Sequence, residues 1–255
     1  KSIALSMDTY KKLRVLSDEQ FEMPQSLAKT ASYFIDNAFV TFEEKKSKNA
    51  EIFTSRIEVS SHRLLRLINN LLDMSKLESG KQDISRSDHD LLAVTNSIIE
   101  SIEPLLNEKK LKLWVNSHVE SCICYIDAEK IGQVIHNLLS NSIKFSSIGQ
   151  NINIDIKQSN INVERRESTE QVVDALQLIV SDTGIGIPES ELVLVFEKFV
   201  QSSKTNTGAG GTGLGLAISK EIIELHRGTI KATNNKPKGS CFSFTLPTKE
   251  IEWDN

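Results

Sequence analysis

Cysteine is scarce in this chain: Cys122, Cys124 and Cys241 are the only three in 255 residues. Three thiols do not form a disulfide framework. Cys122 and Cys124 alternate in a short apolar stretch without further Cys or His beside them, which is not metal-ligand spacing. They read as buried thiols of a reducing compartment. Long apolar runs are missing as well. None approaches the roughly 20 residues of a membrane span, and no signal peptide is visible. The chain starts at Lys1, so the expectation is an excised fragment, cytoplasmic, with any membrane anchor or sensor region outside it. An excess of positive charge is also lacking. The net charge of −4 leaves no footprint for nucleic acid or an anionic membrane. What remains is a mixed-charge chain of ordinary apolar content, globular and of one or two domains.

Proline and glycine are almost absent from residues 1–80, which hold only Pro24 and, at their end, Gly80. That stretch reads as long helices. Leu27, Ala31, Phe34, Ala38 and Phe42 recur at three- and four-residue steps. The charged cluster Glu43 to Asn49 then interrupts the stripe as a hairpin connection would. A second helix follows from about Glu51. Ile57, Ser61, Leu64, Ile68, Leu71 and Ser75 form a heptad-like seam, widened by Leu65 and Leu72. Gly80 stops it. Two helices with wide apolar faces cannot bury both on each other, which points to a homodimeric four-helix bundle; a hairpin packed on the rest of its own chain is the alternative.

Lys81 to Asp88 is polar and reads as an interdomain connection. A helix is expected over roughly Asp90 to Asn107, ended or kinked by Pro104. Short strands follow at Leu111–Val115 and Cys122–Ile126, and Asp127 caps the next helix. On that helix, at 100° per residue, Gln133, Asn137, Asn141 and Lys144 share one narrow sector, while Val134, Ile135, Leu138 and Leu139 cover the other side. Amide oxygens suit a hard cation such as Mg²⁺, and Lys144 suits a phosphate. His136 lies off the sector and reads as structural. Ile152 to Val163 is a strand region, and Glu164 to Glu170 an exposed loop.

Leu176 to Val180 is a buried strand that delivers Asp182-Thr183-Gly184-Ile185-Gly186-Ile187-Pro188. A carboxylate followed by glycines can accept a hydrogen bond from an amino group on a closely approaching ligand, such as that of adenine. Further on, Gly208, Gly210 and Gly213 fit G-x-G-x-x-G, but polar Gln201 to Thr207 precede them instead of the strand a dinucleotide fingerprint needs. The run Gly211-Thr212-Gly213-Leu214-Gly215 still feeds a helix, Leu214 to Leu225, and offers backbone N–H groups to phosphates. Its polar approach reads as a lid. His226-Arg227-Gly228-Thr229-Ile230 and then Gly239 to Pro247 close the domain as a strand, a turn and an alternating strand, the latter with Phe242 and Phe244 on one face. Residues 249–255 read as a tail.

Taken in order, these stretches resemble the N, G1, F and G2 boxes of the ATP-binding domain of sensor histidine kinases. Asn137 and Asn141 carry the first, Asp182, Gly184 and Gly186 the second, Phe196-Glu197-Lys198-Phe199 the third, and Gly211, Gly213 and Gly215 the fourth. Residues 60–80, above all LINNLLDMSKLESG, resemble the second helix of that family's dimerisation domain. The resemblance implies an α+β protein: a helical hairpin (1–80) forming a dimeric four-helix bundle, then an α/β sandwich of the histidine-kinase/gyrase ATPase type (85–248). It implies ATP and Mg²⁺ as cofactors and a response-regulator receiver domain as partner. By resemblance Asp182 binds the adenine amino group, Asn141 holds Mg²⁺ with Asn137 beside it, Lys144 contacts phosphate, Phe145 lies near the base, and Gly211, Thr212, Gly213, Leu214 and Gly215 wrap the phosphates. Gyrase-type relatives carry a water-activating glutamate where Asn137 stands; an amide is a poor base, which favours transfer to a side chain over hydrolysis.

One departure stands out. The family's phosphoacceptor histidine belongs on the first helix, and this chain's five histidines are His62, His89, His118, His136 and His226. The best match to the acceptor box is Phe21-Glu22-Met23-Pro24-Gln25-Ser26-Leu27, which puts Phe21 at the histidine and Glu22 at the acidic residue that takes its proton; a competing register puts Pro24 on the family's proline and Glu19 at the histidine, but it matches worse. A phenyl ring is no nucleophile. Three accounts follow: a histidine replaced in a true kinase, natural or engineered; a pseudokinase that binds ATP and signals by conformation; or another acceptor, His62 first. Gln25 lies four residues on, where the family orients water for phosphatase activity.

Overall fold

The structure, a computed structural model, describes residues 57, 60–61, 64–65, 68–72, 74–75, 84–164, 170–204 and 212–251. The chain divides into two compact units, residues 1–72 and 73–255. In the first, the described residues are helical, among them the seam residues Ile57, Ser61, Leu64, Ile68 and Leu71. The expected hairpin and its dimer otherwise lie outside the described residues.

The second unit runs β1 (Ser87–Asp90), α1 (Leu91–Glu108), β2 (Lys112–Ser117), β3 (Ile123–Ile126), α2 (Ala128–Phe145), β4 (Asn151–Glu164), β5 (Glu170–Asp182), two single 3-10 turns, α3 (Gly215–Leu225), β6 (Thr229–Asn234) and β7 (Ser240–Pro247). Five strands form one sheet in the order β2-β4-β5-β7-β6, with β2 parallel to β4 and the other pairs antiparallel. β1 and β3 form a separate antiparallel pair. Ile152, Ile154 and Ile156 of β4, Leu178 and Val180 of β5, and Phe242 and Phe244 of β7 alternate onto one face and are buried, as a period of two dictates. The helices lie across that face. Val134, Ile135, Leu138 and Leu139 of α2 are fully buried, each worth roughly 1.5–3 kcal/mol relative to exposure. The apolar side of α2 is thereby fixed against the sheet, and its amide stripe is turned away.

Two aspartates set the helix starts. Asp90 accepts from the Leu92 and Ala93 N–H groups at 2.8 and 3.3 Å, and Asp127 accepts from Lys130 N–H at 3.1 Å. Pro104 neither ends nor breaks α1, which continues to Glu108. Ser87–Asp90 is a strand, where the sequence reading ended the connection at Asp88 and began the helix at Asp90: its pairing with Ile123–Ile126 is made by backbone groups that its polar side chains do not advertise. β4 and β5 make a longer hairpin than expected, paired from Ile152–Asp182 out to Glu164–Glu170. Ile251, placed in a tail by sequence, packs with Val173 against Ile161 and Ala175. Cys122 and Cys124 are buried and free. Burial, then the neighbouring Cys122 and Asp90, push the Cys124 thiol up to about 12, which makes it inert.

His226, at the end of α3, ties the layer together. Its Nδ1 hydrogen-bonds the Ile222 carbonyl at 2.7 Å, so Nδ1 carries the proton. Its Nε2 accepts the Asp127 N–H at 3.0 Å, which requires the neutral ring. Burial is the largest influence and holds the ring below its ordinary 6.5; the Ile222 carbonyl opposes, Arg86 lowers further and Asp127 raises. A folded value below the unfolded one means that this contribution to stability is complete above about 6.5 and is lost as pH falls through the folded value. Urea midpoints measured from about pH 7.5 down to about pH 5 should therefore fall more steeply in the unmodified chain than in His226→Phe. Parallel profiles would show that His226 is not the titrating group.

Candidate active site

The site grows from the end of β5. Asp182 is the last residue of that strand and only 2% exposed; a buried carboxylate needs donors. It has them. Oδ1 accepts the Gly184 N–H at 2.8 Å and the Ser240 N–H at 3.1 Å. Oδ2 accepts the Ser240 hydroxyl at 2.6 Å and, more weakly, the Ser142 hydroxyl at 3.4 Å. Three short bonds fix the plane of the carboxylate. The fourth is long enough to give way to a better donor.

The glycine turn after Asp182 is held from two sides. A Cβ on Gly184 would stand 2.6 Å from the Phe145 carbonyl oxygen, at the end of α2. Gly186 has φ +68°, a conformation that glycine adopts without strain. Beyond it, Asn234 accepts from the Ile187 N–H at 2.9 Å and donates to the Ile187 carbonyl at 2.7 Å. Asn235 donates to the Asp182 carbonyl at 3.1 Å. The β6–β7 hairpin thus clamps the turn through two asparagine side chains and Ser240.

On α2, Asn137, Asn141 and Lys144 are half-buried along the predicted sector. Asn137 donates through Nδ2 to the Ser219 hydroxyl on α3 at 2.9 Å, and that hydroxyl donates to the Gly215 carbonyl at 3.0 Å. The Asn137 Oδ1 lies so close to Gly215 that a Cβ there would strike it. Asn141 makes no side-chain hydrogen bond with the described residues. Lys144 Nζ sits 4.8 Å from the centre of the Phe145 ring. α3 begins at Gly215 with Leu214 in the cap position and no side-chain cap, so its first N–H groups have no side-chain acceptor. Thr212 Oγ1 accepts the Leu214 N–H at 3.3 Å. Gly213 has φ +71° and its carbonyl accepts the Phe199 N–H at 2.9 Å, which locks the third of the four boxes onto the fourth.

The structure sets Phe145 against Gly184, and Gly184 against Asp182; it sets Lys144 over Phe145 and Asn137 against Gly215, with Thr212, Gly213 and Leu214 leading into Gly215, while Asn141 lies on the same helix between Asn137 and Lys144. Phe21, Glu22, Gln25 and Gly211 lie outside the described residues. His136 is exposed, not a core residue. Sequence reading missed Ser142, Ser219, Asn234, Asn235 and Ser240. Ser142 left a trace, a lone hydroxyl on the apolar side of α2 that had to find a partner. Ser240 beside Gly239 did not separate itself from an ordinary strand start.

The described residues thus form a helix-covered sheet with a pinned carboxylate at one strand end and a helix start that has no side-chain cap. Residues 126–250 match the family described as histidine kinase-, DNA gyrase B- and HSP90-like ATPase, and this part of the chain is a domain of that class. Its relatives in that class include histidine kinases. The chain is 36% identical over 185 residues to hybrid signal transduction histidine kinase D of Dictyostelium discoideum, covering 72% of this chain. It is 33% identical over 213 residues, 82% of this chain, to the autoinducer 2 sensor kinase/phosphatase LuxQ of Vibrio vulnificus. It spans 11% and 24% of those relatives' lengths. The fold is shared with histidine kinase ThkA in its complex with response regulator protein TrrA, at TM-score 0.65 and 21% identity, covering 88% of this chain and 61% of that one.

Proposed function

We propose that this chain is the catalytic core of a cytoplasmic sensor histidine kinase that binds ATP with Mg²⁺ and works in two-component signalling. The observation that carries the reading is Asp182, buried, oriented by three short bonds and left with one exchangeable contact. An adenine amino group takes the place of the Ser142 hydroxyl at Oδ2. Lys144 and the N–H groups at the start of α3 bind the phosphates. The site fits a hard cation: Asn141 offers an amide oxygen, and Asn137, one turn earlier on the same stripe, presents its Oδ1 at Gly215. Bound there, Mg²⁺ neutralises phosphate charge. Asn137, engaged with Ser219, cannot take a proton from water, so ATP is held intact for a positioned acceptor.

In the complete reaction an imidazole nitrogen attacks the γ-phosphorus, the bond to ADP breaks, and Glu22 takes the ring proton. The phosphoryl group then passes to an aspartate of a response-regulator receiver domain. Phe21 interrupts this sequence at its first step. The chain as it stands binds ATP without phosphorylating itself. Phe21 also favours a second reading, an ATP-binding pseudokinase that acts through conformation or as a phosphatase toward the regulator through Gln25. Incubation with γ-labelled ATP and Mg²⁺ should leave nucleotide bound and recoverable as ATP, with no label on protein. Phosphate release at enzymatic rates would overturn the assignment of Asn137.

We also infer a homodimer through residues of about 10–78. Leu65 and Leu72, seven residues apart, are 40% and 37% exposed on the single chain, which a partner helix pair would cover. Light scattering should give a dimer for the unmodified chain at micromolar concentration. Leu64→Lys with Leu71→Lys should give a monomer, because two charges would replace two seam leucines, half-buried on the single chain, that the partner would cover. A monomeric unmodified chain would end this part of the proposal.

A further inference from the structure

We propose that Lys109, which belongs to none of the nucleotide motifs, is a positioning residue for the nucleotide site, acting through the last turn of α2; this rests on the ATP-binding reading above. Lys109 is the C-cap of α1. Its ammonium donates to three carbonyls of another helix end: Ile143 at 2.7 Å, Lys144 at 3.0 Å and Ser146 at 3.2 Å. An ammonium has three donors and no acceptor, so these contacts saturate it.

A helix leaves its last carbonyls without intrahelical partners. At the end of α2 the ordinary ladder stops at the Ser142 carbonyl, and the carbonyls after it meet groups from elsewhere in the fold. Ser146 N–H takes the Ser142 carbonyl at 3.0 Å. Lys109 takes those of Ile143 and Lys144. The Phe145 carbonyl abuts Gly184, where a Cβ would approach it to 2.6 Å. The loop after α2 is tied back as well, by the Gly149 N–H donating to the Lys109 carbonyl at 3.1 Å. The positive charge also suits the negative end of the helix dipole.

The turn so fastened carries Lys144, which the ATP-binding reading assigns to phosphate, and Phe145, whose carbonyl presses on the turn after Asp182. Without the ammonium, three carbonyls at a half-buried helix end lose their donor together. The turn then frays or rotates toward water, and Lys144 and Phe145 move with it. Lys109 thus joins the end of α1 to the geometry of a site it does not touch.

The test is ATP binding by the full chain in three forms: unmodified, Lys109→Ala and Lys109→Gln. Lys109→Ala should bind ATP about tenfold more weakly, the scale of lost charge-assisted hydrogen bonds. Millimolar propylammonium should restore most of that affinity, because it returns an ammonium to the same carbonyls. Tetramethylammonium, equal in charge but without N–H donors, should not. Lys109→Gln, which keeps an amide donor, should fall between, and it carries the test if Lys109→Ala does not fold. Equal affinity in the unmodified chain and the variants would overturn the proposal. So would a loss that propylammonium and tetramethylammonium leave alike. Failure of the unmodified chain to bind ATP would instead overturn the reading beneath it.

Discussion

Asp182→Asn should lower affinity for adenine nucleotides by about a hundredfold while the unliganded domain stays folded. The hydrogen bonds around the carboxylate give the reason. Oδ1 receives two backbone N–H donors, from Gly184 and Ser240, and neither can be turned into an acceptor. An asparagine must therefore place its carbonyl oxygen there and its NH₂ on the side of Oδ2. The Ser240 hydroxyl, 2.6 Å from that atom, can reverse and accept. So can the Ser142 hydroxyl at 3.4 Å. The fold adapts, but the ligand does not: the adenine amino group is a donor and meets a donor. Titration with a fluorescent adenine nucleotide, beside thermal melts without ligand, separates the two effects. Unchanged affinity in Asp182→Asn would remove this carboxylate from the site.

Phe21→His should turn a chain that binds ATP without modifying itself into one that acquires an acid-labile, base-stable phosphoryl adduct. Restoring a nucleophile is an all-or-none change, unlike the graded losses expected at binding residues. By the family resemblance Glu22 is the residue that would take the acceptor's proton, and Leu27 with the apolar stripe beyond it keeps the sequence pattern of the box. Pro24 is shifted forward from its place in the family's box and sets the demand on the helix path. The measurement is transfer of labelled γ-phosphate in protein shown to bind ATP and to dimerise. No label on Phe21→His would favour the pseudokinase reading. Label on the unmodified chain would mean a different acceptor, with His62 the first to replace.

The parts of the fold legible in sequence were those where one physical signal acted alone. α2 was visible because its apolar residues and its amide stripe repeat at 3.6 residues, and Asp127 marks its start. Asp182 and its glycines were visible because few other uses exist for a carboxylate and two glycines at the end of an apolar strand. β1 was hidden because Ser87 to Asp90 pair through the backbone and show no apolar alternation. The outer part of β5 was hidden because the charged run from Glu164 to Glu170 reads as a loop, whereas pairing with β4 carries the strand out to Glu170. Ser240, Asn234 and Asn235 could not be seen as partners of Asp182 and Ile187, since they come 47 to 58 residues later and only the sheet register brings them back. Lys109 carried no signal either: a lysine at a helix end is ordinary on the surface, and the three carbonyls around it belong to a helix some 34 residues on.

The account stands on adenine recognition by the turn after β5, and calorimetric titration of the unmodified chain with ATP and then GTP, each with Mg²⁺, tests it most directly. ATP should bind saturably at one site per chain. GTP, which presents a carbonyl oxygen where adenine has its amino group, should give no saturable heat, because Asp182 would face an acceptor with an acceptor. Equal binding of the two nucleotides, or no binding of ATP by folded protein, would contradict the account.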